Sequence, residues 1–213
     1  MKLTKAVGNK KILLISTISA AIVLLAAIIG IMYVQGWFPK KMSEEEALAL
    51  RHAQERIQYP LAYRELIEQA ASDFDLDPAH IAAVVMCESS FRPNASSSVG
   101  ALGLMQIMPD TGGWIAGKFD DLTDYDTERL TEPELNLRFG CWYLAWLMAR
   151  YDGDMTCATA AYHAGQGNVD KWLADSQYSD DGTTLTDIPI ADTKIYTRRV
   201  LDTYEKYLEL YTF

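Results

Sequence analysis

Apolar positions recur at a helical period along most of this chain, and one uninterrupted apolar run stands apart from that pattern. From Ile12 to Val34 no charged residue occurs. As a helix that run would span about 34 Å, enough for a hydrocarbon core of about 30 Å. It is longer than the roughly 7–15 apolar residues of a cleaved signal peptide, so an uncleaved membrane-spanning signal-anchor is predicted over 12–34. Beyond it, Ser43 and Glu46 have the spacing of a capping box and start a helix to about Ile57. Tyr59-Pro60 interrupts, because the residue before proline avoids the helical region. A second helix, from about Pro60 to Phe74, turns Leu61, Leu66 and Ile67 inward.

Asp77 and Pro78 form the next helix start, one accepting from free amides and the other needing no donor at the first turn. Ile81, Val84, Val85 and Glu88 then fall at i, i+3, i+4 and i+7, so an apolar stripe ends in a carboxylate. Thr111 is placed as the cap of a short helix holding Trp114 and Ile115. Pro133 starts a long helix to about Tyr151, with Leu137, Cys141, Leu144 and Met148 as its apolar row, and Asp152-Gly153 breaks it. A helix rich in small residues (Ala158, Ala160, Ala161) ends at Gly165 and Gly167, and a last one carries Tyr196, Val200, Tyr204 and Tyr207. No alternating Val/Ile-rich run occurs. The pattern therefore gives a mainly α chain with at most a small β-hairpin, divided into a tail (1–11), a span (12–34), a stalk or linker helix (35–60) and a globular domain (61–213).

Charge sharpens the division. Residues 1–41 hold six lysines and no acid, whereas the remainder carries a formal −16. Lys2, Lys5, Lys10 and Lys11 precede the apolar run and place the tail in the cytoplasm and the globular domain outside, towards the cell wall. An acidic domain repels phosphate backbones, which argues against nucleic acid as a partner. Asp120, Asp121, Asp124 and Asp126 lack the glycine and terminal glutamate of an EF-hand loop, so 120–131 reads as a solvated loop. Cys87, Cys141 and Cys157 lack metal-ligand spacing and sit in apolar helical contexts, as small buried hydrophobes do. No metal and no cofactor is expected.

The candidate chemistry lies in the stretch from Asp77 to Pro109. Desolvation of Glu88 at the end of its apolar stripe disfavours the charged form and raises its pKa, as a general acid requires. Most glycosidases flank the scissile bond with two carboxylates, but this block offers only one well-placed carboxylate, Glu88.

In Glu88, Ser89, Phe91, Pro93 and the run Gly103-Leu104-Met105-Gln106-Ile107-Met108-Pro109 the sequence resembles the soluble lytic transglycosylases. The resemblance continues in Ala161-Tyr162-His163-Ala164-Gly165, where His163 stands in the family's asparagine position. It extends to Ile188-Pro189, Asp192-Thr193 and Tyr196, covering about residues 65–210. It implies a lysozyme-like (goose-type lysozyme and transglycosylase) helical fold and a peptidoglycan glycan strand as partner. Glu88 is then the single catalytic acid and base: it protonates the oxygen between N-acetylmuramic acid and N-acetylglucosamine, then deprotonates the sugar's 6-hydroxyl to close a 1,6-anhydro ring. The resemblance also implies Ser97, Gly103, Met105, Gln106, Tyr162, His163 and Tyr196 as substrate-binding residues. The departures at His163 and Asp192 bear on hydrogen bonding around the sugar. Two other readings stay open at this point. One is a lysozyme-like muramidase in which water replaces the 6-hydroxyl, and the other is a wall-binding scaffold within a cell-envelope machine.

Overall fold

The computed structural model describes residues 23–32, 34–36 and 42–213. Residues 23–32 are helical, and among the described residues no helix is long and apolar enough to cross a membrane. Residues 12–22 and 33 of the span expected over 12–34 lie outside the described residues. The chain divides into two compact units, Met1–Leu50 and Arg51–Phe213. In the first, the predicted capping box is present: Ser43 N donates to Glu46 Oε2 at 2.8 Å and Glu46 N to Ser43 Oγ at 3.1 Å. It opens α1 (Glu44–Gln58).

The second unit is a helical assembly: α2 (Arg64–Phe74), α3 (Pro78–Ser89), α4 (Pro109–Ala116), α5 (Pro133–Arg150), α6 (Met155–Ala164), α7 (Gln166–Leu173) and α8 (Ala191–Leu210), with a 3-10 turn at Thr127–Thr131. Among the described residues there is no strand, so the allowed hairpin is replaced by two isolated bridges, Ser96 with Leu102 and Leu102 with Ile107. The unit begins within the expected stalk. Arg56 Nε donates to Leu210 O at 2.9 Å, which ties the end of α1 to the end of α8.

Helix α3 is the axis of this unit. Asp77 caps it, Oδ1 accepting from Ala79 N at 2.8 Å, and Pro78 fills the first turn. The sequence pattern gives it one buried face, but every residue from Ala79 to Val85 is buried. Three alanines among those seven positions explain why: small side chains let neighbours close on all sides. Helix α8 packs most extensively against it. Even His80 is enclosed, 3.2 Å from the Thr159 hydroxyl, and burial lowers its pKa to about 4, so it stays neutral. Exposure returns only at Met86–Glu88, where the helix reaches its C-terminus.

The remaining boundaries follow local chemistry. Helix α4 starts at Pro109 after an extended Met108, so Thr111 lies inside the first turn rather than capping it. Asp152 and Gly153, at φ 50° and 84°, turn the chain between α5 and α6, and Asp154 caps α6 through Cys157 N at 2.6 Å. The three cysteines are free, with Cys141 and Cys157 buried.

Candidate active site

Ser90 and Phe91, both with positive φ, end α3 abruptly and leave Glu88 on the rim of a cavity of about 600 Å³. Arg92, Asn94, Ser97 and Gln106 line the same cavity, and Glu88 is the only carboxylate among its lining residues. A second cavity of about 540 Å³ is bordered by Arg150, Asp152, Asp154 and Thr183, so volume alone does not choose between them. The environment of the carboxylate does.

Burial pushes the Glu88 pKa up to about 7, against the opposing pull of the Tyr196 hydrogen bond and the positive charge of Arg199. Tyr196 comes from α8, is buried, and donates its hydroxyl to Glu88 Oε1 at 2.5 Å. Burial, with the Glu88 charge next, holds the Tyr196 phenol well above its usual range, so it remains a donor. The ring of His163 stacks on Tyr196 at 4.5 Å, and His163 Nδ1 lies 3.1 Å from Thr193 Oγ1. Partial burial lowers the His163 pKa. The histidine in the family's asparagine position thus braces the tyrosine that holds Glu88.

The loop from residue 95 to 108 forms the other wall. Ser97 Oγ accepts from Ala101 N at 2.9 Å, which pins the loop while leaving the residue on the cavity. Gln106, at φ 48°, donates through Nε2 to Ala95 O at 3.1 Å and Gly103 O at 2.9 Å. Its amide hydrogens are committed to the loop, leaving the carbonyl oxygen as an acceptor for a ligand. Tyr162 donates to Met105 O at 2.8 Å, gripping the loop from α6; burial, then the nearby Glu88 charge, raises its pKa.

Two expected groove residues are placed differently. Met105 is fully buried, so its side chain meets no ligand; it lies against Gly140 and Cys141 of α5. A Cβ on Gly140 would stand 2.2 Å from Met105 Sδ. Gly103 is also buried, at φ 81°, where a Cβ would meet Asn136 Nδ2 and Leu130 O at 2.2 Å. Both are scaffold rather than groove. The residue that organises them was not among the sequence candidates. Asn136 Oδ1 accepts from Met105 N at 2.7 Å, and its Nδ2 donates to Leu102 O at 2.9 Å and Leu130 O at 2.7 Å. Its signal was a single amide between Leu135 and Leu137, in a helix whose neighbouring positions are apolar. Arg199 was also missed. It donates to Cys87 O at 3.0 Å and adds a positive charge beside Glu88.

This arrangement can protonate a leaving oxygen and take a proton back, since one neutral carboxyl is held by one donor. Among the described residues no group of His, Cys, Asp or Glu is arranged to hold a metal ion.

Comparison with known proteins identifies the family. The family model described as transglycosylase SLT domain matches residues 65–184. The soluble lytic murein transglycosylase of Salmonella typhimurium is 35% identical over 158 residues, covering 73% of this chain and 24% of that protein. The membrane-bound lytic murein transglycosylase C of Photorhabdus laumondii is 36% identical over 115 residues, covering 50% of this chain and 32% of its own length. Among solved structures, an inactive glutamate-to-glutamine mutant of lytic transglycosylase Slt from Pseudomonas aeruginosa superposes with a TM-score of 0.64 at 30% identity. It covers 85% of this chain and 30% of that one. The chain thus spans about a quarter of the Salmonella protein's length.

Proposed function

Because this chain belongs to the transglycosylase SLT domain family, we propose that it is a lytic transglycosylase of peptidoglycan with Glu88 as its sole acid and base. The observation that carries the reading is a lone carboxyl, poised near pH 7 and gripped by Tyr196, in a cavity with no second carboxylate. Most retaining and inverting hydrolases use such a second group.

The neutral Glu88 gives its proton to the glycosidic oxygen of the N-acetylglucosamine unit, and the bond from that oxygen to C1 of N-acetylmuramic acid breaks. The acetamide of the muramoyl sugar supports the developing positive charge. Glu88, now a carboxylate, takes the proton of the 6-hydroxyl as that oxygen bonds to C1. Its proton is restored, and no water is consumed. The attack is intramolecular, so the protein's share is to hold the sugar in register and keep water out. Tyr196 steadies the carboxylate through both transfers. Ser97, Gln106, Tyr162 and His163 complete the binding wall, Tyr162 by fixing the loop and His163 by bracing Tyr196. The inactive glutamate-to-glutamine variant of the Pseudomonas relative is in keeping with a single indispensable glutamate.

The reading extends to location. A signal-anchor over 12–34, preceded by four lysines, would tether the domain outside the membrane and against the wall; the Photorhabdus relative is named as membrane-bound. Digestion of purified cell walls tests the chemistry. The wild-type chain should release anhydro-muropeptides, lighter by one water than hydrolysis products, and Glu88→Gln should release none. Hydrated products alone would make it a muramidase. Intact walls together with full biological function of Glu88→Gln would make it a scaffold.

A further inference from the structure

Where the ends of α1 and α3 meet the middle of α8 there is a separate pocket of about 320 Å³, with Gln58, Met86, Cys87, Ser90, Arg199 and Thr203 in its wall. It shares no lining residue with the Glu88 cavity. Gln58, Arg199 and Thr203 also lie outside residues 65–184, where the chain matches its family. Arg199 is the unspent charge of this pocket. Its Nη2 donates to Cys87 O at 3.0 Å, and its guanidinium lies over the Tyr196 ring at 5.8 Å. Elsewhere on α8, Lys194 pairs with Asp187, Arg198 with Asp202 and Lys206 with Glu209. Among the described residues Arg199 has no carboxylate in ion-pair range. Thr203 Oγ1 accepts from Cys87 Sγ at 3.7 Å, which leaves its own proton to give, and Met86 adds an apolar surface. A single guanidinium matches the two oxygens of one carboxylate. A phosphate would bring a second negative charge that no other cation of the wall offsets.

We propose that this pocket binds a small aliphatic carboxylate, paired with Arg199, and that its occupant acts as an effector of Glu88. The inference rests on the reading of Glu88 as the catalytic acid. Arg199 reaches both places, since its positive charge acts on Cys87 and on Glu88. The other groups facing Glu88 are Tyr196 on α8, Tyr162 on α6, Cys87 beside it and Arg92 on the loop, which donates to Ser89 O at 2.9 Å. His163 of α6 faces Arg199, with Asp192 close to it. Burial holds the Cys87 thiol and both phenols above their usual ranges and lowers His163. Just above neutral pH, Glu88 is therefore the group of this set that changes charge. Arg199 favours its carboxylate form. A carboxylate bound to Arg199 cancels that pull, so the neutral acid survives to higher pH.

Butyrate is the probe, with sodium chloride at equal ionic strength as its control. Cys87 reports occupancy, because Cys141 and Cys157 are buried. Butyrate should slow iodoacetamide alkylation of Cys87 in the full chain several-fold, read by mass spectrometry of its peptides. Arg199→Gln should lose that protection, and Arg199→Lys should keep part of it, which a folding defect would not allow. On peptide-free glycan strands, butyrate should move the alkaline limb of the wild-type rate up by about half a pH unit, a gain of about threefold well above pH 7, and leave Arg199→Gln unmoved. Peptide-bearing strands distinguish the source of the carboxylate. A limb already raised on them, to which butyrate adds nothing, would mean that the strand supplies it. No protection, or equal protection in Arg199→Gln, would overturn the pocket and leave the Glu88 reading intact. Protection with one and the same limb on every substrate would overturn the effector role. Absence of turnover on both kinds of strand would overturn the Glu88 reading, and alkylation would still decide the pocket.

Discussion

Glu88 is held between opposing forces, and their balance sets when it can act. Burial disfavours its charge, while the Tyr196 hydroxyl and Arg199 favour it, and the outcome is a pKa of about 7. The first proton transfer needs the neutral form. Activity should therefore be flat below pH 7 and fall about tenfold per pH unit above it. Removing the hydroxyl in Tyr196→Phe deletes a contact that favours the carboxylate, so the pKa must rise. The alkaline limb of the rate profile should move to higher pH even as the maximal rate drops, because the carboxyl loses its anchor. A tyrosine that served only packing would lower the rate and leave the limb in place. A profile that stayed put, or moved towards acid, would remove Tyr196 from the proton chemistry.

At the scale of elements, the junction between the cavity loop and α5 decides whether the site exists. Asn136 spends its whole side chain on that junction, accepting from one backbone group and donating to two others. Asn136→Ala leaves Met105 N and Leu130 O without their partner, while Leu102 O still accepts from Ile107 N, a loss of about 2 kcal/mol or more. Asn136→Asp is the sharper variant. It keeps the shape but turns two donor contacts into a carboxylate facing two carbonyl oxygens, so it should lower the melting temperature at least as far as alanine does. An aspartate variant melting with the wild type would show that the junction is held by packing alone. This is also where the sequence was least legible. The family resemblance marked Gly103 to Pro109 as a fixed block, but not which way each side chain turns. Positive φ at Gly103 and Gln106 bends the block so that Met105 faces Gly140 and the core, and only Gln106 keeps a place on the cavity. Backbone handedness at a non-glycine residue such as Gln106 leaves no mark in composition or period. By contrast, Glu88 stood out because a carboxylate ended an apolar stripe, and the limits of α5 because Pro133 and Asp152-Gly153 punctuate it.

For the whole molecule, charge and apolar length respond differently to salt, and that difference makes the proposed anchor testable. Helix order and class were readable because local signals and period agree along most of the globular unit, as at the Asp77-Pro78 start and the Gly165 stop. The N-terminal part rests on composition, and two explanations of membrane association compete there. Six lysines in residues 1–41 could hold the chain on an anionic surface, at up to about 1 kcal/mol each near that surface. Such attraction is screened within about 3 Å at 1 M salt. An apolar run from Ile12 to Val34 buried in hydrocarbon is indifferent to salt, and the acidic remainder would be repelled by the same surface. The full chain should therefore sediment with membranes and stay there through washes in high salt and alkaline carbonate. Replacing several apolar residues of 12–34 by lysine should release it, although every cationic residue is retained. Release of the unaltered chain by salt alone would mean that the lysines, not the apolar run, hold it to the membrane.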